Sequence, residues 1–345
     1  MKAPDTTSRL SGSPGRFLQE VPSSEGYRSR LATDADVHAA NLTGWNQLYD
    51  QLTPGQFHGS ISELWMGKLQ VFREVTSHAV RQSCQIWPNS WWFGIPLNDG
   101  DLSKVGISCI DKDAIAVRSG GTEFQLLTPN NFGILGIVVE QQELAEYVQT
   151  TEHVSLSPSS FNGNLLRIGQ IRRTGLQRLF QQMLIEVSYS SQLLLHQSSR
   201  HAIRSSVLQA LSEVCSMQVR PDRPSSTHIS QHSLVCRIRE YVVSRGEDPV
   251  AISDICRDFY VSRRTLQNAF HSVVGMSPVA YLRAVRLNGV RRMLRDHSSG
   301  VTCVQDAAAR WGFWHLSQFA CDYRKLFGER PSDSLRHRCD YKGIH

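Results

Sequence analysis

The sequence predicts an α+β protein: a β-rich N-terminal domain, with a barrel as one form open to it, then middle helices. An all-α C-terminal domain follows, with two helix-turn-helix units joined by a long helix. Three observations carry this reading. Leu266, Phe270, Gly275 and Pro278 are spaced four, five and three residues apart, and Phe319, Tyr323, Gly328 and Pro331 repeat that spacing. The apolar period changes from strand-like alternation to helical three-and-four spacing past Leu165. Positive charge is segregated: from His232 onward there are 18 Lys and Arg against 11 Asp and Glu, and before it 19 against 20. A basic excess that coincides with a repeated helix-turn-helix pattern points to nucleic acid.

Residues 1–25 are rich in Ser, Pro, Gly and Thr and are expected to form a disordered tail. Residues 26–155 are expected to form the β-rich domain. HGSISELWMGKLQVFREV alternates apolar and polar residues, and SCQIWPNSWWFGIP and NNFGILGIVVE are apolar runs bounded by turn residues. QQELAEYVQ predicts a short helix. Residues 156–217 are expected to be helical and are a candidate dimerisation segment. VRPDRPSSTHISQH lacks periodicity, so 218–231 is expected to be a linker, and 232–338 forms the C-terminal domain.

Within that domain, SLVCRIREYVVSRG predicts an amphipathic helix and ISDICRDF a short one that Ser253 could cap. YVS makes a turn, and Ser262 caps SRRTLQNAFHSVV. Leu266, Ala269, Phe270 and Val273 share one face of this helix, and Arg263, Arg264, Gln267, Asn268 and His271 the other. Arg, Gln and Asn supply the bidentate groups that read guanine and adenine edges. SPVAYLRAVRLNGVRRML, started by Ser277 and Pro278, predicts a helix of ~27 Å, a span that could hold two recognition helices one DNA turn, ~34 Å, apart. Its Arg286, Arg291 and Arg292 are either phosphate contacts or a solvated face. VQDAAARW and WHLSQFACDYRKLF form the second unit, with Gly312 at the turn and Phe319 and Tyr323 inward. His315, Leu316, Ser317, Cys321 and Arg324 face outward, where they either touch DNA or brace the fold.

Composition excludes several classes. There is no apolar run of membrane length and no signal-peptide core at the N-terminus, so a cytoplasmic protein is expected. The eight cysteines are scattered without metal-binding spacing, which predicts reduced thiols. No P-loop, dinucleotide fingerprint, G-x-S-x-G or H-E-x-x-H is present, so no enzyme is expected. A repair protein with a zinc-bound reactive Cys near its N-terminus is disfavoured, because the first cysteine is Cys84. An architectural module whose helices only dimerise stays open.

SRRTLQNAFHSVVGMSPVAYLRAVRLNGVRRML and DAAARWGFWHLSQFACDYRKLFGERPS resemble the AraC/XylS class of bacterial regulators. Tyr260 departs from that pattern, which usually has Gly in the first turn. GWNQLYDQLTPGQFHG, QVFREVTSHAVRQSCQIWPNSWWFGIP, GGTEFQLLTP and RWGFWHLSQFA are similar to the regulators of ethanolamine-utilisation operons. The resemblance implies a DNA-binding activator of ethanolamine ammonia-lyase and microcompartment genes. It also implies promoter DNA and RNA polymerase as partners, and ethanolamine and adenosylcobalamin as co-inducers, with no covalent cofactor.

An ammonium ligand would want an aromatic face and a carboxylate. Trp87, Trp91 and Trp92 are candidates for the face, and Glu63, Glu74 and Glu123 for the charge; core packing and surface ion pairs are the competing roles. DVHAAN at Asp36 has the Asp and His but not the Gly of one cobalamin-ligating pattern, and is read as chance.

Overall fold

The computed structural model describes residues 25–337, apart from 99–102, 162, 164, 217–224, 246–247 and 249. The expected N-terminal tail falls almost wholly outside them. Two antiparallel sheets organise the N-terminal half. The larger has the order β1 (Gly26–Ala32), β3 (Gly59–Met66), β4 (Leu69–Thr76), β11 (Phe132–Glu140), β6 (Ser90–Pro96), β9 (Ala114–Ser119) and β12 (Leu165–Arg167). The smaller has the order β2 (Trp45–Gln51), β5 (Val80–Ile86), β10 (Phe124–Thr128), β7 (Ser103–Val105) and β8 (Ser108–Ile110). They face each other as two sheets and do not close, which corrects the barrel form.

The central strands of the larger sheet are buried on both faces. Trp91, Phe93 and Ile95 of β6 pack with Leu176, Phe180 and Val207 of two helices, α3 (Gln170–Tyr189) and α4 (Gln197–Cys215). Trp92 points the other way, into the inter-sheet core with Trp45, Phe72 and Phe124. Successive strand residues alternate faces, so a run with no polar member has helices on one side and a sheet on the other. A short helix, α1 (Ala35–Ala39), lies between β1 and β2, and QQELAEYVQ is helical as expected, in α2 (Gln141–Thr151). The middle segment differs at its start: Leu165–Arg167 adds β12 to the sheet edge by pairing with β9 before the helices begin.

The C-terminal half is all helix: α5 (Ser226–Arg245), α6 (Ile252–Asp258), α7 (Arg263–Val274), α8 (Pro278–Arg295), α9 (Val304–Ala309), α10 (Leu316–Phe327) and α11 (Pro331–Arg336). Helix α5 begins inside the expected linker. Ser225 Oγ accepts from His228 N at 3.3 Å, and Ile229 stays exposed, so the first turns form without the apolar periodicity that would reveal them. Helix α8 runs through the core of this domain. An added Cβ on Gly289 would sit 2.2 Å from the Trp311 ring, so glycine lets the second unit pack against the axis of α8.

The two halves share a polar seam. Asp50, fully buried at the end of β2, meets Arg292 at 2.7 Å, Arg239 at 3.0 Å and Arg81 at 3.6 Å. Asn288 of α8 accepts from Gln51 N at 3.0 Å and donates to Gln51 O at 2.9 Å. Leu52, Ala79 and Leu127 of the N-terminal half pack into the C-terminal core.

Candidate nucleic-acid interface

The first unit consists of α6, a turn and α7. Ala251, not Ser253, caps α6, and Asp254 Oδ2 accepts from Ala251 N at 3.1 Å. The turn places Tyr260 at φ +54°, 94% exposed, in the left-handed region where Gly is at ease. Ser262 caps α7 by accepting from Thr265 N at 3.0 Å, and Gly275 ends it at φ +71°. Leu266, Ala269 and Phe270 are buried, which fixes the helix by its apolar face. Arg263, Arg264, Gln267, Asn268 and His271 are all exposed on the remaining face, together with Thr265. An exposed row of donors and acceptors on a helix anchored from behind can enter a major groove.

The second unit repeats this geometry. Phe319, Tyr323, Leu326 and Phe327 bury one face of α10, and Gly328 closes it at φ +74°. Tyr323 Oη lies 2.6 Å from Ser334 Oγ, and burial pushes its phenol above the usual range. His315, Leu316, Ser317, Cys321 and Arg324 are exposed. Trp314, 64% exposed in the preceding turn, and Gln318 stand beside them; the sequence reading did not select either. Both line a groove of about 490 Å³ between the units, with Val279, Arg283, Arg286 and His315 also in its walls. The Trp-containing turn WGFWH was the available signal. Arg283 pairs with Asp322, tying α8 to α10.

Arg291 and Arg292 of α8 are corrected. Arg291 is 4% exposed and pairs with Asp34 at 2.7 Å and Glu329 at 3.0 Å. Arg292 pairs with Asp36 and Asp50, and Arg286 donates to Val250 O at 3.2 Å. Asp34, Asp36 and Asp50 come from the N-terminal half, so this face of α8 is an interior seam and not a phosphate rail. Burial alone would raise the Asp50 carboxyl; Arg292, Arg239 and Arg81 outweigh it and hold the group at about 2. For Asp36 burial wins over Arg292, and the carboxyl is raised.

The six candidate ligand residues of the N-terminal half do not converge. Glu63 and Glu74 are buried and Trp92 lies in the inter-sheet core, whereas Trp91 lies on the helix side. Trp87 sits in the turn before β6, with its ring 5.1 Å from that of Trp65. Glu123 is exposed and accepts from Ser83 Oγ. Glu63 accepts from Gln70 Nε2 at 2.6 Å and Thr43 Oγ1 at 2.8 Å, and burial raises its carboxyl against those bonds. Glu74 accepts from Tyr49 Oη at 2.7 Å and pairs with His38 at 3.0 Å. His38, the histidine of DVHAAN, is wholly buried, with its Nε2 on Glu74. Among the described residues, no group of three or more His, Cys, Asp or Glu could hold a metal ion, and no helix is long and apolar enough to cross a membrane.

Residues 255–337 match the family described as a helix-turn-helix domain. The chain is 32% identical over 97 residues to the probable thc operon regulatory protein of Rhodococcus erythropolis, covering 28% of this chain and 29% of that protein. It is 33% identical over 100 residues to the XylDLEGF operon transcriptional activator of Pseudomonas putida, covering 29% and 31%. A probable AraC family transcriptional regulator from Rhodopseudomonas palustris, of known structure, is 34% identical, with a TM-score of 0.28 over 31% of this chain and 97% of that one. The C-terminal domain is thus of the two-unit helix-turn-helix class. More narrowly, the chain is similar over about 100 residues to operon regulators of the thc and XylDLEGF kind. The chain spans under a third of the length of the two curated relatives described above.

Proposed function

We propose that this chain is a sequence-specific transcription activator that binds promoter DNA through α7 and α10 and takes a small-molecule signal in its N-terminal half. The observation that carries it is the pair of helices held by one α8, each buried on its aromatic face and exposed on its polar one. Activation rather than repression is supported by the name of the Pseudomonas putida relative, and makes RNA polymerase the protein partner. A homodimer is supported by α3, whose Ile171 and Ile185 are 90% and 48% exposed, with Tyr189 87% exposed.

For the signal, ethanolamine with adenosylcobalamin as co-inducer rests on the resemblance of the N-terminal segments. Glu63 supports it in part: its buried carboxyl accepts from Gln70, whose Oε1 accepts from the Trp45 indole, so an acid and an aromatic ring share one hydrogen-bond network. A second inducer class is favoured by the buried groups that lack a protein partner there. Trp65 Nε1, Trp92 Nε1 and Gln82 Nε2 are all donors, and they would be answered by a ligand rich in acceptors, such as a carboxylate or polyol. Promoter binding and calorimetry with ethanolamine and adenosylcobalamin, each alone and together, test the reading. Heat of binding and a promoter response to the amine support it. No heat and no response leave a regulator of this family with a different inducer. Equal affinity for promoter and random DNA removes the regulator reading itself.

A further inference from the structure

The seam between the two halves contains a cavity of about 20 Å³, room for one water-sized or monoatomic occupant. Arg81 of β5, Gln125 of β10, His232, Cys236 and Arg239 of α5, and Tyr281 of α8 line it. Arg81 is 5% exposed, and its Nη1 has no hydrogen-bond acceptor; its contact with Asp50 is an ion pair at 3.6 Å. Arg239 Nε is likewise buried and without an acceptor. Two arginines that line one cavity thus each carry a guanidinium N–H without the partner that burial demands.

The charge count at this point is also unbalanced. Arg81, Arg239 and Arg292 share the carboxylates of Asp50 and Asp36. Three cations therefore face two anions. Lys104 and Arg118 add to the positive field at His232, whose imidazole is pushed down by burial and then by these charges. Glu240, the acid that acts on Cys236, is on the exposed side of α5.

We propose that this cavity is a halide-sized anion site, filled by chloride, that joins the sheet of the N-terminal half to α5 and α8 of the DNA-binding half. Water would satisfy one donor geometry but leaves the surplus charge; a monovalent anion answers both. Because both halves supply the donors, occupancy stabilises their docked arrangement by mass action and is lost when they separate.

The test uses the full-length protein at constant ionic strength, with chloride replaced stepwise by gluconate. Melting temperature should rise with chloride and saturate, bromide should substitute, and Arg81→Gln should abolish the dependence. Crystals grown in bromide should show an anomalous peak within hydrogen-bond distance of Arg81 Nη1 and Arg239 Nε, a readout on the wild-type chain that does not depend on how the variant folds. No peak and superimposable melting in chloride and gluconate would overturn the proposal and assign the cavity to water. A peak without saturable dependence in solution would mean an adventitious ion only, and would overturn it equally.

Discussion

Replacing Asp50 by Asn removes one negative charge from the centre of the seam and keeps the shape of the side chain. The carboxyl is fully buried and held at about 2 against an ordinary 3.8. A group depressed by that interval stabilises the fold by about 2.5 kcal/mol at neutral pH. The three arginines would also lose their shared anion, and breaking a buried pair from one side costs ~3–5 kcal/mol. The variant should therefore lie between those two values below wild type at pH 7, a large share of the stability of an ordinary domain. The sign with pH is fixed. A depressed carboxylate contributes fully above its unfolded value and loses the contribution as pH falls through its folded value. The gap between wild type and variant should be constant above about pH 5, begin to close near 3.8 and shrink by about 2.5 kcal/mol toward pH 2. Urea unfolding at pH values from 3 to 7 measures this. Equal stabilities at pH 7, or a gap unchanged down to pH 3, would refute the view that Asp50 holds the two halves together.

Other substitutions probe the DNA-binding half. Arg264→Ala should cost ~1–3 kcal/mol at a specific promoter site and relax base discrimination there; an equal loss on random DNA in a binding titration would limit Arg264 to phosphate. Phe270, fully buried with its ring 5.5 Å from Tyr281, should cost ~3–5 kcal/mol when cut to Ala, and normal melting with lost DNA binding would mean that the facing of α7 is wrong. Tyr260→Gly should raise stability by up to ~1 kcal/mol, because the exposed ring gives nothing back for its left-handed backbone; a lower melting temperature would count against that strain.

The repeated spacing made the C-terminal units legible because each member has a geometric task. Leu266, Phe270, Phe319 and Tyr323 are core contacts, and Gly275 and Gly328 are left-handed helix ends. Ser262 and Ser277 were readable as caps for the same reason: the side chain must reach a backbone N–H nearby. What sequence could not show is contact between distant segments. The outward arginines of α8 look solvated on a helical wheel, and only the approach of Asp34, Asp36 and Asp50 makes them interior. The aromatic run of β6 divides between two layers because adjacent strand residues point apart, and both faces here are covered by apolar side chains.

Asn288 has a consequence beyond holding two halves together. Strand β2 is the last strand on one side of its sheet, and Asn288 engages both backbone groups of Gln51 as a neighbouring strand would. The DNA-binding half therefore acts as a cover on an open sheet margin. Whatever frees that half also uncovers a template for strand addition, so the released N-terminal half would be inclined to recruit another extended chain, including its own copy. Tight docking in this protein thus guards solubility as well as geometry, and sets a bound on how far any signal can part the two halves.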